Sequence, residues 1–162
     1  MYRIAIITAS DKGSRGERED LSGPTIKKMC EAFATVSSYE IIADEREFIS
    51  AALCHLCDED LADVVFTTGG TGFSVRDVTP EATMDVIERL APGIPEAMRA
   101  RSLQVTDRAM LTRAVAGIRK RTLIINLPGS PKAVEECLSV ILPALAHGID
   151  MLRGYDSECA RK

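Results

Sequence analysis

Apolar and polar positions alternate along this chain in two rhythms, one typical of buried strands and one typical of amphipathic helices. Five short apolar runs, rich in β-branched residues, predict buried strands: 3–8, 39–43, 64–68, 114–118 and 122–126. Apolar residues three and four positions apart predict helices between them: from Gly23-Pro24, over about 47–60, 80–90 and 95–103, and from Pro131 onward. We expect Pro143 to kink or end the last helix. The alternation predicts an α/β fold, a parallel sheet with helices on both faces.

Polar or glycine-rich segments follow four of the predicted strands. Asp11 follows the first strand, Asp44 ends the second, residues 69–77 follow the third, and residues 127–130 follow the last. In open parallel sheets, ligands bind outside the carboxyl ends of the strands. We therefore expect these four segments to meet at one edge of the sheet and to form the binding site.

The segment 64–81 carries the most specific local chemistry. Its strand leads into a loop with three glycines in four residues, and Thr79-Pro80-Glu81 then has the features of a helix start, with Thr79 as the expected N-cap. Backbone N–H groups of such a loop approach an anion closely, because glycine has no Cβ. No Gly-Lys-Ser/Thr follows, so this is not a Walker A loop, and Val75 stands where Gly-x-Gly-x-x-Gly needs its third glycine. The loop is therefore either another type of phosphate-binding loop or a simple tight turn.

A second turn, 127–131, also leads into a helix, with Ser130 as the expected N-cap and Pro131 in the first turn. Two such turns offer two anion sites. Asp44 and Asp77 would repel phosphate there unless Mg²⁺ lay between them, and Mg²⁺ typically binds one or two carboxylates plus substrate phosphates. This combination indicates nucleotidyl or phosphoryl transfer. In the alternative interpretation both aspartates are solvated or helix-capping residues, and the second turn has no binding role.

Composition narrows the class of protein. The 162 residues suit a single domain, 1–162, with a frayed tail from about 155 to 162. A net charge of −4 and a pI near 5.3 argue against a broad nucleic-acid interface, which needs a basic face. No apolar run approaches about 18 residues, so we expect no membrane span, and the N-terminus is interpreted as a strand rather than a signal peptide. Five cysteines, an odd number scattered through core-like patterns, favour the reducing cytoplasm.

Two further segments invite a functional interpretation. Cys54-His55-Leu56-Cys57 has the spacing of half a zinc site, but there is no second cysteine pair, and we expect core packing instead. The charged run from Asp11 to Asp20 has the composition of a solvated loop. Its place over the proposed edge also makes it a candidate lid.

The motifs together resemble the molybdopterin adenylyltransferase family, which includes the bacterial MogA and MoaB proteins and the G domains of gephyrin and its plant relative. The matching stretches follow the family's order over nearly the whole chain: 8–11, 16–24, 44–45, 67–83, 109–113 and 126–133. The combination of TTGGTG, RDVTPEAT and NLPGSPKAV is far more specific than any one of these fragments. Ser74-Val75 departs from the pair common in the family, whereas Asp44-Glu45 favours the MogA-type branch over the MoaB-type branch.

The resemblance implies a three-layer α/β/α sandwich with a mostly parallel sheet, assembled as a homotrimer. It implies Mg²⁺-dependent transfer of AMP from ATP to the terminal phosphate of molybdopterin, with release of pyrophosphate, during molybdenum cofactor biosynthesis and upstream of a molybdenum insertase. Asp44 and Asp77 match catalytic aspartates of the family and would hold Mg²⁺. Further residues are expected to bind nucleotide or pterin: Ser10, Asp11, Gly69, Gly70, Thr71, Gly72, Ser102, Pro128, Gly129 and Ser130.

Two other hypotheses fit the same residues. One is a non-catalytic, MoaB-type molybdopterin-binding or scaffold protein with the same fold. The other is a nucleotide-binding switch with no link to a pterin. At the level of the sequence, either anion site is as suitable for ATP as for the pterin.

Overall fold

The computed structural model describes residues 1–155, and in them one sheet of six strands has the order β2-β1-β3-β6-β5-β4. The strands are β1 Tyr2–Ala9, β2 Ala34–Ile42, β3 Val64–Thr68, β4 Arg89–Leu90, β5 Ala116–Arg119 and β6 Thr122–Leu127. β2, β1, β3 and β6 are parallel, whereas β5 runs antiparallel to both β6 and β4. The mostly parallel sheet is confirmed, with an antiparallel pair at one edge.

Helices cover both faces of this sheet. They are α1 Asp11–Ser14, α2 Ser22–Cys30, α3 Arg46–Asp58, α4 Thr79–Met84, α5 Gly93–Ser102 and α6 Pro131–Arg153, and a 3₁₀ turn spans Asp107–Leu111. Alternate residues of β1 enter opposite cores, since Ile4 and Ile6 pack with α2, α5 and α6 while Ala5 and Ile7 pack with α3 and α4. The predicted three-layer sandwich is therefore confirmed.

The structure differs from the predictions most clearly in three places. β2 begins at Ala34 rather than 39, and α4 ends at Met84 rather than 90. The residues after α4 instead lead into β4, where the Glu88 N–H donates to Ile118 O (2.8 Å), so pairing with the edge strand outweighs helical periodicity. Pro143 does not end α6, which continues to Arg153. Pro143 lies on the exposed side, and the residues beyond it remain packed in the core, which holds the helix together.

The remaining expectations concern the cysteine pair, membrane spans and the C-terminal tail. Cys57 is buried in the core between α3 and the sheet, and Cys54 packs against the same core, as predicted for the Cys-x-x-Cys segment. No helix within residues 1–155 has the length and apolarity that a membrane span requires. Residues 156–162 of the predicted tail lie outside the described part of the chain.

Candidate active site

Glycines let the carboxyl ends of three parallel strands approach one another. Gly69 and Gly70 have φ angles of +91° and +64°, a region that residues with a Cβ rarely adopt. A Cβ on Gly69 would lie 2.5 Å from the carbonyl oxygen of Ala9, at the end of β1. The Gly69 N–H donates to the Leu127 carbonyl at the end of β6 (3.3 Å). The glycine loop therefore joins β1, β3 and β6 at the predicted edge.

Arg113 binds the backbone of this loop. Its guanidinium donates to the carbonyl oxygens of Gly72 (2.7 Å) and Asp77 (2.5 Å) and also contacts the Glu81 carboxylate. Within residues 1–155 the N–H groups of Gly70, Thr71 and Gly72 have no intramolecular acceptor. Because Arg113 engages carbonyl oxygens at both ends of the segment 72–77, it stabilises a conformation in which these three N–H groups are available to an anion. Sequence reasoning missed Arg113, whose only signal was its place in a matching stretch.

The two predicted catalytic aspartates share one arrangement. Asp44 Oδ2 accepts a hydrogen bond from the Asp11 N–H (2.9 Å), and Asp77 Oδ2 accepts one from the Ser74 N–H (3.0 Å). In the described residues neither Oδ1 has a donor, and Asp44 Oδ1 would lie 3.2 Å from a Cβ on Gly70. Burial raises the pKa of Asp44, the Asp11 N–H opposes this, and the negative charges of Asp11 and Asp77 add to it. Each carboxylate is thus oriented through one oxygen and keeps the other free.

A polar cavity of about 460 Å³ lies at this edge. It brings together seven of the predicted residues: Ser10, Asp44, Gly69, Gly70, Asp77, Gly129 and Ser130. The segment after α1 forms one wall through Arg18, Glu19 and Asp20, as its predicted position over the edge required. Asp20 is fixed there by the Thr8 and Tyr39 hydroxyls, which both donate to its Oδ2 at 2.5 Å.

A second, largely apolar cavity of about 280 Å³ contains four more of the predicted residues: Thr71, Gly72, Ser102 and Pro128. Its other walls include Met98, Leu111 and Cys137. Gly70 lines the first cavity and Thr71 the second, so the glycine loop is a shared wall between them. Of the twelve predicted residues only Asp11 lines neither cavity. Its carboxylate accepts hydrogen bonds from Arg76 and from the Asp44 N–H.

The second predicted turn also lies at this edge. Ser130 caps α6 as predicted, and its Oγ accepts from the Ala133 N–H (3.2 Å). A Cβ on Gly129 would be 3.4 Å from Gly69 Cα, so the two turns are in contact. The predicted cap at Thr79 was wrong, because Val78 precedes α4 and Thr79 is its first residue. The Thr79 hydroxyl is buried against Gly70 and has no hydrogen-bond partner in the described chain.

The carboxylates fit a magnesium ion that completes its shell with substrate. Asp44 and Asp77 line the same cavity, and each has a free oxygen, which suits a hard cation. Across residues 1–155 there is no group of three or more His, Cys, Asp or Glu side chains arranged to hold a metal. An all-protein metal cage is therefore not formed by these residues, whereas two carboxylates with phosphate and water ligands agree with what Mg²⁺ prefers.

Comparison with known proteins agrees with this geometry. Residues 5–147 match the family model described as "Probable molybdopterin binding domain". The chain belongs to this family. The molybdopterin adenylyltransferase of Helicobacter pylori J99 is 46% identical over 154 residues, covering 93% of this chain and 88% of that protein. The Escherichia coli K12 protein of the same name is 42% identical over 154 residues, covering 91% of this chain and 79% of its own.

A solved structure shows the family fold directly. The molybdopterin biosynthesis enzyme MoaB of Thermus thermophilus superposes with a TM-score of 0.90 and 44% identity, covering 95% of this chain and 98% of that one. Family membership, predicted from the motifs, and the α/β fold, predicted from the alternation of strands and helices, are therefore confirmed.

Proposed function

We propose that this protein is a molybdopterin adenylyltransferase, which transfers AMP from ATP to the terminal phosphate of molybdopterin and releases pyrophosphate. The observation that carries this proposal is the pair of oriented aspartates, Asp44 and Asp77, beside a glycine loop that separates two cavities. Two substrates that must react with each other need adjoining sites with a common polar wall. The names of the relatives from H. pylori and E. coli support the same activity.

The two cavities differ in a way that suggests which substrate each one takes. The larger contains Arg18, the aspartates and the N-terminus of α6, so we assign it to ATP and its phosphates. The smaller is lined by Met98, Leu111 and Cys137, with Ser102 as a polar group, and suits a flat heterocycle such as the pterin.

The residues then act by positioning and electrostatic stabilisation. The free N–H groups of Gly70, Thr71 and Gly72 bind phosphate oxygens at the shared wall. Asp44 and Asp77 would hold Mg²⁺, and the ion would neutralise negative charge on the phosphates. The terminal phosphate of molybdopterin attacks the α-phosphorus of ATP, forming a phosphoanhydride bond as the bond to pyrophosphate breaks. Holding both phosphates in line is the main contribution of the protein.

Pyrophosphate release tests this proposal. Protein mixed with molybdopterin, ATP and Mg²⁺ should produce pyrophosphate only when all three are present. Asp77→Asn should lower kcat by about 100-fold or more, because it removes a carboxylate that would hold the Mg²⁺ that balances the phosphate charge. Asp85→Asn is the control, since Asp85 is exposed, pairs with Arg46 and lines neither cavity.

Binding without turnover in the unmodified protein would contradict the proposal and favour the MoaB-type scaffold. Titration with molybdopterin alone distinguishes the adenylyltransferase and the scaffold, which both bind it, from a nucleotide-binding switch. A switch would bind ATP and leave molybdopterin unbound.

The cellular setting belongs to the same proposal. We place the reaction in the cytoplasm, with a molybdenum insertase consuming the adenylylated product, and we propose a homotrimer. Exposed apolar side chains, among them Phe73, Val75 and Met110, would be available for contacts between copies. Sedimentation equilibrium should give three times the chain mass of 17.6 kDa. A monomer mass would refute the trimer and leave the proposed reaction unaffected.

A further inference from the structure

Arg76 connects the loops that follow three neighbouring strands. Its Nε and Nη2 donate to both carboxylate oxygens of Asp11 (3.0 and 2.9 Å), and Nη2 also donates to Glu45 Oε1 (2.7 Å). Asp11 follows β1, Glu45 follows β2 and Arg76 follows β3, and these strands are adjacent in the order β2-β1-β3. One guanidinium therefore joins three loops at the edge where the active site lies.

Hydrogen bonds also connect Asp11 to Asp44, one of the two proposed catalytic residues. Asp11 Oδ1 accepts both from Arg76 and from the Asp44 N–H (3.0 Å). In return, Asp44 Oδ2 accepts from the Asp11 N–H (2.9 Å). This reciprocal pair sets the orientation of the Asp44 carboxylate, and it requires the Asp11 side chain to stay in place.

Given the proposed function, we propose that Arg76 is a positioning residue that holds Asp44 in its catalytic orientation through Asp11. Arg76 lines neither cavity and is half exposed, so it does not act as a contact to the substrate. It acts instead on the three loops that must stay together around the phosphates.

The contact of Arg76 with Asp11 and Glu45 also offsets repulsion between acidic side chains. Asp11, Asp44, Glu45 and Asp77 are four acidic residues at this edge, and the charges of Asp11 and Asp77 both act on Asp44. Like charges at this spacing repel one another, and Arg76 is the cation that bridges two of them. The planar guanidinium suits this role, because its fork engages both oxygens of Asp11 while Nη2 reaches Glu45. A lysine ammonium has the charge without the fork.

The kinetic test compares Arg76→Gln with Arg76→Lys. Arg76→Gln should lower kcat by about 10- to 100-fold, because small displacements of catalytic groups have effects of this size. The KM for ATP should stay within about threefold, because the substrate contacts remain. Arg76→Lys should restore only part of kcat, since one ammonium cannot replace the bidentate contact.

Arg46→Gln is the matched control. Arg46 makes a bidentate pair with Asp85 (2.6 and 2.6 Å) and is as exposed as Arg76, at 49% against 51% of the side chain. This variant should keep kcat within about twofold of the unmodified protein. An equal loss of kcat in Arg46→Gln would overturn the inference, because any lost surface pair would then have the same effect.

Three further kinetic results test the inference. Asp11→Asn combined with Arg76→Gln should be little worse than either change alone, since both break one connection. Unchanged kcat in Arg76→Gln would overturn the inference. A rise in KM with normal kcat would also overturn it and make Arg76 a substrate contact.

Hydrogen exchange without substrates separates this inference from the proposed function. The Asp11 and Asp44 amides should exchange at least about fivefold faster in Arg76→Gln and at the normal rate in Arg46→Gln. If the unmodified protein had no turnover, the proposed function would fail, and exchange would still test the connection. Unaltered exchange at both amides would overturn the inference whatever the kinetics.

Discussion

Individual side chains determine how phosphate charge can be balanced at this site. The glycine loop has no lysine of the Walker type, and most ionisable groups lining the larger cavity are acidic. Arg18 is the one basic residue among those that line it, and it has no ion pair or hydrogen bond within the described chain. Most other arginines near the site are already engaged, as Arg76 and Arg113 are. Among the residues that line the larger cavity, Arg18 is therefore the cation available to an anion, which under the proposed function is ATP.

Replacing Arg18 should weaken ATP binding. Arg18→Gln should raise the Kd for ATP by about 5- to 10-fold, which is the effect expected for a partly exposed phosphate contact. Calorimetric titration measures this directly. Arg15→Gln is the control, because Arg15 pairs with Glu17 (2.8 Å) and lies outside the cavity. Equal affinity in Arg18→Gln and the unmodified protein would show that Arg18 leaves the phosphates untouched.

At the scale of elements, the glycine loop is shaped by what surrounds it. Gly70 has a positive φ and lies against the Thr79 hydroxyl and Asp44 Oδ1, so both its backbone conformation and its missing side chain matter. Gly16, in the wall segment, also has a positive φ (+72°), but a Cβ there would meet nothing within 4 Å. A comparison of Gly70 with Gly16 therefore distinguishes the effect of a strained backbone conformation from the effect of a steric clash with an added Cβ.

Gly70→Ala should disturb the site more than Gly16→Ala. Both variants should lose about 1 kcal/mol of unfolding free energy from the strained φ. Gly70→Ala adds a Cβ 2.5 Å from Thr79 Oγ1, so it should lose about 1 to 3 kcal/mol more and most of its turnover. Urea unfolding and pyrophosphate release measure the two effects. Equal behaviour of both variants would mean that the space at Gly70 is not needed.

At the scale of the whole molecule, α6 is anchored at the end opposite the site. Arg153, in its last turn, is 5% exposed and donates to Asp60 (2.5 Å) and to the Ala62 carbonyl (2.8 Å). It also pairs with the buried Asp63 (2.6 Å), which in turn accepts from the Arg3 N–H (2.6 Å). The helix that carries the Ser130 turn is thus tied at its far end to the starts of β1 and β3.

Removing the buried charge of Arg153 should destabilise the fold. Arg153→Met should lower the free energy of unfolding by about 3 kcal/mol, because Asp63 would lose a partner in a buried site. Arg101→Met is the control, since Arg101 is also in the last turn of a helix but is exposed. Urea denaturation of both variants provides the measurement. A loss below about 1 kcal/mol for Arg153→Met would show that Arg3, which also pairs with Asp63 (3.0 Å), compensates.

Buried thiols should make the fold sensitive to alkali. Burial raises the pKa of both Cys30 and Cys57 to about 12, from an ordinary value near 9. A raised folded-state pKa stabilises the fold fully below pH 9 and less as pH rises towards 12, because unfolded thiols ionise first. Between about pH 9 and 10 the unfolding free energy should fall by up to about 1.4 kcal/mol per thiol. Cys30→Ala should flatten this slope, and an unchanged slope would exclude a contribution from Cys30.

The alternation of apolar runs and amphipathic segments was sufficient to predict the α/β class and the shared edge. Strand and helix periods are local, and the rule that ligands bind at the carboxyl ends of parallel strands needs only the element order. The combination of motifs was sufficient to predict the family. The local patterns failed at β4, where strand pairing outweighed helical periodicity. Pro143 was expected to kink or end the last helix, and core packing continues that helix past it.

Only the tertiary structure showed how the site is held together. Arg113 contacts Gly72 across 41 positions, and Arg76 contacts Asp11 across 65. Such contacts depend on the order and register of the strands, which no local pattern contains. The division into two cavities has the same origin, because one loop faces both only after β1, β3 and β6 have come together. The sequence alone predicted the candidate site residues, and the packing of distant loops determined how they are oriented.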